Sequence, residues 1–414
     1  MIRSIILLTL LVSLPVPAVP AHAAAVKTGA EVLLNNNFSL LRGKRFGLVT
    51  NRSATVGGIH IIDLMEAAGI RPAVIFAPEH GFKETAEDGV RLADGTDDGI
   101  PVKSLYGAAR KPQGEDLKGL DLVVFDIQDV GVRFYTYIST MGLAMQAAAE
   151  AGVPFMVLDR PNPLGGDYVS GFVRNDLPAS FTSFYPIPIA HGMTVGELAM
   201  MIKGCGWLPG LSDLDLTVVR MEGWQRWMRW PDTGLAWLPT SPNIADFEAS
   251  LLYPGIGLLE GTGASEGRGT TEPFRLVGLP GIDGEALAAR LNRQGLPGVK
   301  FEPVRFTPVC MPGRSSLPKC MNREVHGVRI AITDYQSVQP VETGIAVVSA
   351  LYEALPPQEE KAFFRKGFND LAGSSRLRQA IESGEPAEEI TRHWGSDTLW
   401  FMLMREKYLL YPDR

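Results

Sequence analysis

Apolar positions along this chain fall into short unbroken runs that alternate with longer stretches of helical spacing. RFGLVTN (45–51), PAVIFAPEHG (72–81), DLVVFDIQD (121–129) and PFMVLDRPN (154–162) have the length of buried strands, and each ends in polar or turn residues. Between them, IHIIDLMEAAG (59–69) and TYISTMGLAMQAAAEAG (136–152) repeat apolar residues at helical intervals and close on glycine. Strand and helix in alternation predict a doubly wound parallel α/β sheet. TVGELAMMIKG (194–204) and LDLTVVRME (214–222) add one more helix and strand. After about residue 240 the texture changes. A Gly- and Thr-rich segment, YPGIGLLEGTGASEGRGTTEPF (253–274), precedes a helix at 284–295, strands near 299–307 and 326–334, and further helices. This predicts an N-terminal domain over 26–279 and a second, smaller α+β domain over 280–414.

Composition narrows the partners. A chain of 414 residues is long for one core, which favours two domains. A formal net charge of -7 with no Lys/Arg run speaks against nucleic acid or an anionic membrane as the main partner. The N-terminus carries Arg3, an apolar run from Ile5 to Leu14 and the small-residue end Ala21-His22-Ala23, the pattern of a signal peptide over 1–25. Pro15, Pro17 and Pro20 interrupt the run, so no membrane span is expected in the mature protein. Export to a periplasmic or extracellular, oxidising compartment leaves two states open for Cys310 and Cys320, a short-loop disulfide or two free thiols.

The strand ends carry the candidate chemistry. In open α/β sheets, ligands bind beyond the carboxyl ends of the strands. The four apolar runs end in Asn51, in Glu79 and His80, in Asp126 and Asp129, and in Asp159, Arg160 and Asn162. One crevice is expected to collect them. Arg133, close in sequence to Asp126 and Asp129, makes an acid and base neighbourhood that either shifts a pKa for catalysis or caps the next helix. The Gly-rich segment lacks Walker spacing, and the first strand-helix junction lacks GxGxxG, which disfavours a nucleotide cofactor. Its glycines and its acids Glu260, Glu266 and Glu272 suit either a loop laid against a polyhydroxylated ligand or a structural crossover.

LVTNRSA, FAPEHGF, SLYG, FDIQDVGVRFYTYIST, LDRPNPLGG, PIPIAHGMTVGELA, SPNI and EGTGASEGRGTTEPF occur in this order, with KYLLYP near the end. Together they resemble the bacterial exo-β-N-acetylmuramidase family of glycoside hydrolases, formerly a domain of unknown function. The resemblance implies a Rossmann-like N-terminal domain, a smaller second domain, and a cleft between them that removes N-acetylmuramic acid from non-reducing ends of peptidoglycan fragments. It implies no cofactor. The chain departs from the family motif at Gly263, where the family carries Asn, and at Ala264.

Glycoside hydrolysis needs an acid for the leaving oxygen and a second group at the anomeric carbon or its water. Glu79 is the leading catalytic carboxylate; Glu260 and Glu266 are candidates for its partner, and Asp126 is the next choice. Arg133, Arg160 and Arg268 are candidates to grip the lactyl carboxylate that distinguishes muramic acid from glucosamine. His80, Asn51, Asp129, Asn162 and His191 are further candidates to contact the sugar, and Tyr135 and Tyr137 to stack on it, with turn, cap and core roles as the alternatives. Thr194 and Glu197 read as a capping box. Two rivals share these features: a solute-binding protein without catalysis, and a metal-dependent hydrolase using Glu79, His80, Asp126 and Asp129, for which no HExxH or paired-Cys spacing speaks. No signal for oligomeric state is present.

Overall fold

The computed structural model describes residues 25–83, 86–87 and 89–413. The expected signal peptide, apart from Ala25, lies outside the described residues. The larger unit is built on strands β1 (Phe46–Thr50), β2 (Val74–Ala77), β3 (Gly95–Asp97), β4 (Ile100–Ser104), β5 (Leu122–Asp126), β6 (Phe155–Leu158) and β7 (Leu216–Val219), in the order β3-β4-β2-β1-β5-β6-β7. All neighbours pair in parallel except the β3–β4 hairpin at one edge. Every residue of β1, β2, β5 and β6 is buried, which is why these strands read as unbroken apolar runs.

Alternate side chains of these strands serve opposite faces. Phe46, Leu48, Ile75, Leu122 and Val124 pack with Ala30 and Leu33 of α1 (Gly29–Asn35) and Ile61, Ile62 and Met65 of α2 (Ile61–Ala67). Val49, Phe76, Val123, Phe125 and Phe155 pack with Met141 and Met145 of α3 (Tyr137–Ala151) and Leu198 and Ile202 of α4 (Val195–Gly204). The sheet is therefore doubly wound as expected. Its strand order reverses between β1 and β5, the switch point of a Rossmann-like sheet.

The second unit has its own antiparallel sheet, β8 (Leu276–Leu279), β9 (Val299–Phe306) and β10 (Val325–Ile332), in the order β8-β10-β9. Helix α5 (Phe247–Ile256) packs on α7 (Pro340–Glu353), and α6 (Gly284–Arg293) lies against β9. The expected boundary at 279/280 thus falls between β8 and its own sheet partner. In sequence, β8 is four residues at the tail of a Gly-rich run, too short for its pattern to separate from the loop.

Helices α5 and α7 touch through glycine. A Cβ on Gly344 would lie 2.2 Å from the Gly255 Cα, and one on Gly255 would lie 2.0 Å from the Pro340 carbonyl. Neither contact can relax without moving a helix backbone. Gly344→Ala is expected to destabilise the fold by about 1–3 kcal/mol, the range for overpacking. Urea unfolding measures it, and an unchanged midpoint would contradict the close crossing.

Cys205, Cys310 and Cys320 are separate thiols. Among the described residues no helix is long and apolar enough to cross a membrane.

Candidate active site

A pocket enclosing about 570 Å³ of empty space, its open mouth included, lies where the two units meet. The larger unit supplies Glu79 and His80 from the end of β2, Tyr106 from the end of β4, and Tyr135, Thr136 and Tyr137 from the start of α3. The second unit supplies Tyr253 from α5, Glu260 from the turn Gly257–Gly261, then Arg268 and Phe274. Leu371 of α8 (Phe368–Ala372) completes that side.

A sharp turn presents Glu79. His80 and Gly81 both hold positive φ, +68° and +78°, and for a histidine this conformation is sparsely populated. The His80 Nδ1–H donates to the Ala86 carbonyl at 2.8 Å and fixes the turn. Burial lowers the His80 pKa, the Glu79 charge opposing, and Arg268 lowers it further. Both Glu79 oxygens are acceptors: Thr136 Oγ1–H donates to Oε2 at 2.6 Å and the Gly89 N–H to Oε1 at 3.0 Å. The Tyr106 hydroxyl also hydrogen-bonds Glu79.

An edge-to-face aromatic wall backs the pocket. Tyr135 lies 4.8 Å from Tyr137 and 5.8 Å from Tyr253, and Tyr253 lies 4.9 Å from Phe274, centroid to centroid. The Tyr135 and Tyr137 hydroxyls donate to the Thr240 carbonyl at 2.8 and 2.6 Å. The wall is held rigidly by polar bonds at its far edge.

Opposite charges organise the Gly-rich loop. Arg268 contacts Glu260 at 2.6 Å and Glu266 at 3.3 Å, and its guanidinium sits 5.2 Å from the Phe274 ring centre. Lys319 reaches Glu266 at 2.6 Å and also donates to the Leu259 and Thr262 carbonyls. Gly267 and Gly269, at φ +82° and +79°, permit this path, since a Cβ at either would strike a carbonyl oxygen at 2.7 Å. At Gly263 a Cβ would meet nothing closer than 3.8 Å, so packing does not demand the departure from Asn there.

Three carboxylates, Glu79, Glu260 and Glu266, therefore face two cations, Arg268 and Lys319. Burial, then the Glu266 charge, pushes the Glu260 pKa up to about 8, with Lys319 opposing and Glu79 adding. Burial brings Arg268 down to about 10 against the pull of Glu79.

The single crevice expected from the strand ends is divided. Glu79, His80, Tyr135, Glu260 and Arg268 share the pocket, with Glu266 buried behind it. The remaining candidates are buried outside this pocket, and Arg160 lines a separate one with Gln128, Ser53 and Trp230. Asp126, wholly buried, holds Arg160 through bonds of 2.5 and 3.0 Å instead of facing a substrate. Asn51 Oδ1 accepts from the Ser53 N–H and hydroxyl, and Asn162 bridges the Leu164 N–H and the Met193 carbonyl; both are turn residues here. Arg133 donates to the Phe172, Ile187 and Leu371 carbonyls at 2.6–2.8 Å, so it ties the second unit down from behind the pocket wall and is not a carboxylate clamp. Its burial lowers the guanidinium pKa to about 9.

His191 is equally enclosed. Its Nδ1 accepts from the Met193 N–H, which leaves the ring hydrogen on Nε2, 4.0 Å from Asp129 Oδ2. Burial raises Asp129 to about 7 and lowers His191 to about 3, so neither carries full charge near neutrality. Thr194 and Glu197 do form the expected capping box. Among the described residues no three His, Cys, Asp or Glu side chains gather as a metal site. Glu79 and His80 line the pocket while Asp126 and Asp129 do not.

Tyr106, Thr136, Tyr253 and Lys319 touch the site's carboxylates or its wall without having been expected there. Tyr106 and Thr136 sit inside the motifs SLYG and FYTYIST, so the signal existed but did not separate them from core residues. Lys319 carries none, because its contact with Glu266 spans 53 residues of sequence.

Comparison with known proteins agrees with this layout. Residues 46–248 match the family model described as exo-β-N-acetylmuramidase NamZ, N-terminal, and residues 251–411 match its C-terminal counterpart. The peptidoglycan β-N-acetylmuramidase NamZ of Bacillus subtilis (strain 168) is 42% identical over 396 residues, covering 94% of this chain and 92% of that protein. Two crystal structures of DUF1343 family proteins from Bacteroides fragilis share the fold. One has a TM-score of 0.84 at 37% identity over 95% of this chain and 100% of its own; the other has 0.78 at 34% over 94% and 100%. The chain belongs to the NamZ family of exo-β-N-acetylmuramidases.

Proposed function

We propose that this protein is an exo-acting β-N-acetylmuramidase that hydrolyses terminal N-acetylmuramic acid from the non-reducing ends of peptidoglycan fragments, in the pocket between its two units. One observation carries the reading: Glu79 and Glu260 reach the same aromatic-walled pocket in different electrostatic settings. With a pKa near 8, Glu260 keeps its proton at neutral pH and can deliver it to the leaving glycosidic oxygen. Glu79, whose two oxygens both accept hydrogen bonds, is the carboxylate that acts at the anomeric side. The tyrosine wall offers an apolar face for the pyranose. The N-terminal segment 1–25 directs export to the periplasm or medium, where such fragments occur.

Hydrolysis of a chromogenic β-N-acetylmuramide, run beside the matching β-N-acetylglucosaminide, tests this directly. Release from the muramide and little from the glucosaminide is expected. A folded protein that binds a muramyl disaccharide and releases nothing would be a binding protein, and the hydrolase reading would fall.

A further inference from the structure

Resting on that muramidase reading, we infer that Arg110 is the residue that recognises the lactyl carboxylate of the substrate. The charge balance calls for a cation. With Glu260 protonated, Glu79 and Glu266 balance Arg268 and Lys319 in and behind the pocket, so an incoming carboxylate adds an uncompensated negative charge unless another cation faces it. The three arginines singled out in the sequence are occupied: Arg133 by three carbonyls, Arg160 by Asp126, and Arg268 by Glu260 and Glu266.

Arg110 stands at the rim with its charge available. It is exposed, and its guanidinium lies 3.9 Å from the Tyr106 ring centre and 4.5 Å from that of Phe181. Tyr106 lines the pocket, as does Thr182 next to Phe181. The Tyr106 side chain hydrogen-bonds both Glu79 and Arg110, so it joins the carboxylate at the pocket floor to the cation at its rim. Contact with both rings, whose centres are 5.9 Å apart and whose planes are tilted by 54°, restrains the guanidinium from one side and leaves its other side for a bidentate bond to a carboxylate. That pre-organisation lowers the entropy lost on binding. Arg52 lines a neighbouring groove, but no ring holds it.

The test compares wild type, Arg110→Gln, Arg110→Lys and Arg52→Gln on a chromogenic β-N-acetylmuramide and on its neutral lactyl-amide analogue. Arg110→Gln is expected to raise KM for the muramide roughly 10- to 100-fold, the range for a charge-assisted hydrogen bond, with kcat little changed. On the amide it is expected to match wild type, and Arg110→Lys to recover part of the loss. An unchanged KM, an equal loss on the amide, or the same selective loss in Arg52→Gln overturns the assignment. If wild type cleaves neither compound, the muramidase reading fails separately. Calorimetric binding of N-acetylmuramic acid and its lactyl amide then decides Arg110, because equal preference in wild type and Arg110→Gln overturns it.

Discussion

Glu79→Gln is expected to lower kcat on a β-muramide by roughly 10²- to 10⁴-fold, the scale of a lost acid-base group, while leaving the fold intact. The amide is isosteric and keeps the acceptor for Thr136 while giving up the one for the Gly89 N–H, and the His80 bond to the Ala86 carbonyl that fixes the turn is untouched. KM should stay within a few-fold, since the aromatic wall and the rim are untouched. Glu260→Gln should produce a loss of the same order through the other half of the chemistry. The wild-type pH profile separates the two roles. Because the Glu260 pKa is raised to about 8, its protonated fraction is nearly complete at neutral pH and falls as pH rises through that value. The alkaline limb of kcat should therefore lie near pH 8. A limb near pH 4–5, the ordinary carboxyl range, would remove Glu260 as the proton donor. So would full activity in Glu260→Gln.

How much of this was legible beforehand differs by link in the chain of cause. The buried strands β1, β2, β5 and β6 appear as apolar runs because both their faces are covered, and α3 and α4 appear as helices because their less buried positions, Leu143, Gln146 and Ala149 in one and Met200 and Lys203 in the other, recur three residues apart. The β3–β4 hairpin and β8 escaped notice, being three to five residues long and partly exposed or embedded among glycines. For the site, Glu79 is legible because PEHG follows a clean strand. Asp126 looked equivalent by the same rule, and the rule fails there for a physical reason. The residues that directly follow β5 and β6 are buried under later segments of the chain. A polar side chain there is consumed by partners such as Arg160, Gly131 and Met193, whereas Glu79 directly after β2 and Tyr106 after β4 open to the pocket, where Tyr135 and Thr136 join them from the far end of the β5 connection. Which loops a later segment covers is a long-range property that no local pattern carries.

Asp126→Ala separates these two fates of a strand-end carboxylate. Arg160 is 4% exposed and Asp126 not at all, and their two bonds are the strongest contacts either side chain makes. Removing the carboxylate leaves a guanidinium buried with only long contacts to the Thr55 carbonyl, at 3.4 Å. Breaking one partner of a buried pair costs about 3–5 kcal/mol, a large fraction of the stability of most domains. A sharp fall in the urea midpoint is therefore expected, with reduced soluble yield. Arg160→Met should cost less than Asp126→Ala, because an uncharged aspartic acid can be buried more cheaply than an unpaired guanidinium. The double variant Asp126→Leu/Arg160→Met should recover much of the loss, since an apolar pair of similar volume replaces the ions. Throughout the series, kcat per folded molecule should hold within a few-fold, because neither side chain lines the pocket. A stable Asp126→Ala protein with kcat reduced 10²-fold or more would return Asp126 to the catalytic machinery and place the reaction at the switch point instead.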